Sequence, residues 1–203
     1  MTPRAVIFDL GGVVLDSPLE AIAGYEAANS IPAGAINRAI AKKGSNSAWA
    51  RHERGEVDFA TFCEELEAEL AEEGLVVEVA EVMARIDLSL RPRQRLIQVI
   101  RQLRDRGIKV GAVTNSWSTL SDSRIDREFE IVVHSWQVGT RKPEPAIYQL
   151  VLERLGVAGP EAVYLDDIGA NLKPAQALGM TTFKVSDEDS ALAFLDSLFG
   201  LTP

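Results

Sequence analysis

The sequence predicts an α/β fold: a Rossmann-like parallel sheet core with an inserted all-helical cap. Three observations predict it. Five short, β-branched apolar runs recur along the chain. Longer helical patterns separate the later runs, the rhythm of a parallel sheet with crossover helices. Between the first run and the second, residues 17–90 carry helical patterns and no convincing strand.

The runs are AVIFD (5–9), IKVGAVT (108–114), EIVVHS (130–135), AVYLDD (162–167) and TTFKVS (181–186). They are nearly continuous in apolar residues, as expected of strands covered on both faces. Leu96, Val99, Ile100 and Leu103 recur at helical spacing, and Gly107 follows as a stop. A second helical segment runs from near Pro143 to Leu155-Gly156. In the insertion, Phe59, Phe62, Leu66 and Leu70 form an apolar helical stripe, and Ser17-Pro18-Leu19-Glu20 reads as a capping box with proline at the first helical position. The expected division is 1–16 and 91–203 for the core and 17–90 for the cap.

Composition bounds the function. Apolar residues are 46% and charged residues 25%, ordinary for a globular protein. A net charge of -9 argues against a phosphate-backbone or anionic-membrane partner. No apolar stretch reaches the roughly 20 residues of a spanning helix, and the start MTPRAVIFDLGG lacks a signal-peptide pattern. The lone Cys63 precludes an intramolecular disulfide and fits a reducing, cytoplasmic setting. A homodimer is compatible with the sequence but not demanded by it.

Four segments offer chemistry. In AVIFDLGGVVLD, a buried strand ends in Asp9, and Gly11-Gly12 allow close approach of backbone to an ion or phosphate; a strand-ending turn is the alternative. VGAVTNS ends a strand in Thr114 and Asn115, a hydroxyl and a backbone N–H for phosphate oxygens, or simply a turn. QVGTRKPEP places Lys142 before a proline, as a site cation or a solvated one. AVYLDDIGANLKPAQALGM ends a strand in Asp166 and Asp167, with Asn171 entering a helix. Two such charges ~4 Å apart repel by about 4 kcal/mol at an effective dielectric near 20. Three carboxylates at one sheet edge therefore suit Mg²⁺.

Asp, Thr, Lys and Asp-Asp in this order at strand ends resemble the haloacid dehalogenase-like superfamily. The fourth motif and QVGTRKPEPAIY are similar to the N-terminal phosphatase domain of soluble epoxide hydrolase, and the double-glycine first motif to the related domain of some acyl-CoA dehydrogenase family proteins. The resemblance implies a Mg²⁺-dependent phosphatase acting on a small-molecule phosphate ester, with Asp9 as nucleophile forming an aspartyl-phosphate. It implies Mg²⁺ on Asp9, the Gly11 carbonyl and Asp167, with Asp166 behind them near Lys142. Thr114, Asn115 and Lys142 would hold the phosphoryl group, and Asn171 would orient the acids.

One position departs from the pattern. The superfamily's phosphatases usually carry an acid–base Asp two residues after the nucleophile, where this chain has Gly11. Loss of such a group forfeits about 10²–10⁴-fold in rate. Asp16, or His52 or Glu53 in HERGEV (52–57), is the candidate replacement; a solvated turn is the bland reading of that segment. Trp117 either floors the substrate pocket or packs in the core, Trp49 faces the cleft or joins cap to core, and His134 reads as structural. Two other functions remain open: a phosphate-ligand-binding pseudo-phosphatase, favoured by Gly11, and a metal-free dehalogenase, disfavoured by the adjacent acids.

Overall fold

A computed structural model describes residues 3–117 and 123–201. β1 (Ala5–Phe8) is followed by five helices: α1 (Pro18–Ala28), α2 (Ala35–Lys43), α3 (Ala48–Glu53), α4 (Phe59–Glu72) and α5 (Val79–Ser89). The chain continues through α6 (Gln94–Asp105), β2 (Lys109–Thr114), α7 (Ser123–Asp126), β3 (Ile131–His134) and α8 (Ser135–Val138). It closes with α9 (Pro145–Leu155), β4 (Ala162–Asp166), α10 (Gly169–Ala177), β5 (Thr181–Lys184) and α11 (Glu188–Phe199). The strands form one parallel sheet in the order β3-β2-β1-β4-β5.

Strand periodicity divides the core into two layers. Val6 and Phe8 face α6 and α11 in one apolar cluster, while Ala5 and Ile7 face α9 and α10 in the other. The three inner strands are buried throughout apart from half-buried Lys109. β5 departs from the expected double burial, because as an edge strand it leaves Thr181 and Lys184 exposed. Each expected run also proves a residue or two longer than its paired strand, Ile108 and Glu130 falling before β2 and β3, and Asp9, Ser135, Asp167 and Val185-Ser186 after β1, β3, β4 and β5.

The insertion has its own apolar cluster, in which Phe62, Leu66 and Leu70 of α4 meet Ile22 and Tyr25 of α1 and Val82, Met83 and Ile86 of α5. Ser17 caps α1 by accepting from the Leu19 amide at 3.3 Å, rather than from the Glu20 amide that a capping box uses. The two connections to the core run side by side. The Asp16 amide donates to the Arg91 carbonyl (3.0 Å) and the Arg93 amide to Val14 (2.9 Å). Among the described residues no helix is long and apolar enough to cross a membrane.

Candidate active site

β1, β2 and β4 are in register, so their carboxyl ends deliver side chains to one rim. Phe8 pairs with both Ala112 and Leu165, and the Asp9 amide bonds the Leu165 carbonyl at 2.8 Å. Asp9 is buried, and its Oδ1 accepts the Leu10 amide at 2.6 Å and lies 2.6 Å from Lys142 Nζ. Lys142 Nζ donates as well to Asp166 Oδ2 at 3.0 Å.

Asp166 is wholly buried and fully engaged. Besides Lys142, it accepts from the Tyr164 hydroxyl, the Ile168 amide (2.8 Å) and Asn171 Nδ2 (3.1 Å). Tyr148 secures Asn171 in turn, donating to its carbonyl at 2.8 Å. Asp167 differs: its Oδ1 is buried and has no hydrogen-bond partner among the described residues.

One lysine does not balance this group. Oxygens of Asp9, Asp166 and Asp167 lie within 4.8 Å of one another, against one ammonium. Burial pushes the Asp9 carboxyl well up, Lys142 pulls it down, and the other two acids raise it again. Burial and then Asp166 raise Asp167. For Lys142, burial opposes the charge, but Asp166 and Asp9 overturn it and hold the ammonium above its ordinary range. An unpaired buried carboxylate oxygen beside two more acids is the donor set a hard divalent cation takes, so the residues present fit Mg²⁺.

The loop after β1 is shaped around these acids. Gly12 has φ +81°, and a Cβ there would meet Asp167 Oδ2 at 2.2 Å. Arg93 Nη1 fixes the loop from outside through the carbonyls of Gly12 (2.9 Å) and Val13 (3.2 Å). A Cβ on Gly11 would lie 3.2 Å from the Pro18 ring at the start of α1.

A family model described as haloacid dehalogenase-like hydrolase matches residues 3–179. The chain belongs to this family.

The chain is 36% identical to acyl-CoA dehydrogenase family member 10 of Mus musculus, over 97% of its own length and 19% of that protein. It is 33% identical to bifunctional epoxide hydrolase 2 of Sus scrofa, over 99% of itself and 40% of that protein. Thus it spans well under half of either. Sesquiterpene phosphatase astK of Aspergillus oryzae is 26% identical, with 98% of each chain covered. A haloacid dehalogenase-like enzyme of Bacteroides thetaiotaomicron, crystallised with magnesium and inorganic phosphate, shares the fold at TM-score 0.66 and 20% identity, over 94% of this chain and 98% of that one.

In this haloacid dehalogenase-like hydrolase the acids open onto a cavity of about 660 Å³ between core and cap. Thr114, Asn115, Trp117, Lys142 and Asn171 line it together with Asp9, Gly11 and Asp167. Asp166 stands behind them, beneath Lys142. Trp117 lines the cavity and also packs into the cap's apolar cluster. Trp49 also lines the cavity and meets Trp117 edge-on at 5.9 Å.

His52 is the residue that the structure moves elsewhere. It stands outside the cavity lining, its ring stacked on Phe62 at 4.1 Å, and burial lowers its pKa. On the short helix α3 one residue of rotation separates the two faces, and Glu53 takes the cavity side. Asp16 is likewise outside the lining, half-exposed with Arg93 at 3.8 Å.

Two features escaped the sequence. Arg93 reads as a surface arginine, and nothing in its neighbourhood signals two carbonyl contacts. The second is a part-buried chain in which Ser116 Oγ lies 3.1 Å from His134 Nδ1, and His134 Nε2 3.1 Å from Asp126 Oδ2. It braces the turn after β2 against β3. Register predicts half of this, since Thr114 pairs with His134 across the two strands.

Proposed function

We propose that this chain is a Mg²⁺-dependent phosphatase that hydrolyses a small-molecule phosphate monoester through an aspartyl-phosphate on Asp9, with residues 1–16 and 91–203 as its core and 17–90 as its cap. The observation that carries this reading is the pairing of Asp9 with Lys142 beside an unpartnered Asp167 oxygen. Mg²⁺, held by Asp9, Asp167 and the Gly11 carbonyl, would neutralise phosphoryl charge. Among the described residues both donors to Asp9 engage Oδ1, which leaves Oδ2 as the attacking oxygen. It forms the new O–P bond as the ester O–P bond breaks and the alkoxide departs, taking a proton from solvent; water then attacks phosphorus, the aspartyl O–P bond breaks, and inorganic phosphate and a proton leave as the Asp9 carboxylate is restored. Thr114 and Asn115 would bind phosphoryl oxygens, and Lys142 would stabilise charge on both nucleophile and phosphoryl group. Asp166 and Asn171 keep Lys142 in place.

Position 11 supplies no proton to the departing alkoxide, and Glu53, one of the candidate replacements, is tied to Arg141. Good leaving groups are therefore favoured. Ile22, Ile40, Trp49 and Leu90 of the cap and Trp117 of the core give the cavity an apolar flank, which supports a substrate with an apolar body, while Asn37, Glu53 and Asp87 set polar groups into the same wall. The second reading, a phosphate-binding pseudo-phosphatase, rests on Gly11 alone.

The test is a screen of phosphate esters with Mg²⁺, including p-nitrophenyl phosphate, prenyl phosphates and sugar phosphates, with Asp9→Asn as the blank. Mg²⁺-dependent release absent from the blank supports the phosphatase. Tight phosphate-ester binding with no turnover of any ester supports the second reading instead.

A further inference from the structure

Glu53 is a buried carboxylate at the carboxyl end of α3, 6% exposed, on the cavity wall. Such a group is costly unless donors surround it. Among the described residues it has three, and they come from two sides. Trp49 Nε1 of its own helix donates to Oε1 at 2.9 Å. Asn115 Nδ2 at 3.2 Å and the Arg141 Nε donate to Oε2, and both belong to the core. One carboxylate therefore ties the insertion to two core residues beside the acids.

The contact leads inward. The Asn115 side chain also grips the backbone of Lys142 from both ends: the Lys142 amide donates to Oδ1 at 2.8 Å, and Nδ2 donates to the Lys142 carbonyl at 3.0 Å. Lys142 is the residue whose Nζ meets Asp9 at 2.6 Å. An unbroken run of polar contacts thus connects helix α3 to Asp9. The neighbouring residues hold the same junction. Arg54 Nη1 lies 3.2 Å from Glu144 Oε1, and Gly55 packs so closely that a Cβ would meet the Trp136 carbonyl at 2.6 Å.

We infer that Glu53 is a positioning residue: by clasping Asn115 and Arg141 from the cap, it sets the Lys142 backbone and so holds the lysine against Asp9 when the cap is docked. This rests on the phosphatase reading for its kinetic consequence, though not for the clasp itself. A paired Glu53 does not serve as the missing acid. Its place in the reaction is indirect, through geometry at Lys142, and a docked cap becomes a condition for an aligned site.

The experiment uses the full chain with Glu53→Gln and Glu53→Ala. Amide hydrogen exchange at Lys142 and turnover of p-nitrophenyl phosphate with Mg²⁺ are measured for each. Glu53→Gln keeps an acceptor but loses the charge that holds Arg141, so it guards against failure of the alanine variant to fold. In either variant the Lys142 amide should exchange at least ~10-fold faster while amides within α9 are unchanged, and kcat should fall ~10-fold or more with KM within about threefold. Unchanged exchange at Lys142 overturns the clasp, whether or not the protein turns over substrate. Faster exchange with wild-type kcat overturns the positioning role and leaves a purely structural tie. A wild-type protein that releases no phosphate, with exchange still accelerated by the substitutions, removes the phosphatase reading and spares the clasp.

Discussion

A Cβ on Gly12 would lie 2.2 Å from Oδ2 of Asp167, so the first loop and the acid just after β4 fit together only because residue 12 has no side chain. The same residue adopts φ +81°. An alanine there costs about 1–2 kcal/mol for its backbone conformation alone and also displaces Asp167. Gly12→Ala should lower Mg²⁺-dependent phosphate release by ~100-fold or more, the effect of moving a reacting group by about an ångström. Steady-state kinetics on p-nitrophenyl phosphate checks this, and wild-type turnover would show that Asp167 need not sit where it does.

Lys142 is the sole cation within 3.0 Å of Asp9 and Asp166 among the described residues. Breaking a buried pair from one side leaves an uncompensated charge, at about 3–5 kcal/mol. Lys142→Met should therefore destabilise the protein by that order in denaturant unfolding. Adding Asp166→Asn should recover part of the loss, because it removes one of the stranded charges. Independent, additive effects of the two substitutions would contradict the coupling.

Gly11 bears on leaving groups. With no acid at this position, kcat/KM should fall steeply from aryl to alkyl phosphates, by the ~10²–10⁴-fold that a general acid supplies. Gly11→Asp alone should rescue little, since its Cβ meets the Pro18 ring at 3.2 Å. Gly11→Asp with Pro18→Ala should raise alkyl phosphate turnover selectively. Equal rates for both ester classes in the wild type would show that another residue donates the proton.

His52 predicts an acid-sensitive cap. Burial lowers its pKa below the ordinary value of 6.5, so the unfolded chain binds its proton more readily than the native one. The stability it confers is complete above that ordinary value and declines as pH falls through it toward the depressed native value. His52→Phe should flatten this part of the stability–pH curve, keeping the stack on Phe62. Thermal unfolding between pH 7 and 5 measures it, and an unaltered slope would exclude His52 as the source.

Much of the fold was legible because buried parallel strands leave continuous apolar runs, and AVIFD or AVYLDD can be little else. Strand ends placed Asp9, Thr114 and the 166–167 pair at one rim, but a plain turn stayed open for each motif until the four were taken together in order. Lys142 was harder, since only the tertiary fold decides whether a loop lysine is solvated or wedged between acids. His52 and Glu53 show where linear reading stops: adjacent residues on a six-residue helix point to opposite surroundings. The Ser116–His134–Asp126 chain joins α7 and β3 to the turn after β2, and no spacing rule announces it.

The central claim is that Asp9 is phosphorylated during turnover, and acid quenching followed by peptide mass mapping tests it most directly. A turning-over sample with Mg²⁺ should carry a phosphoryl group on the peptide containing Asp9, lost in Asp9→Asn. Mg²⁺-dependent hydrolysis with that peptide unmodified, or with the label on another residue, would contradict it.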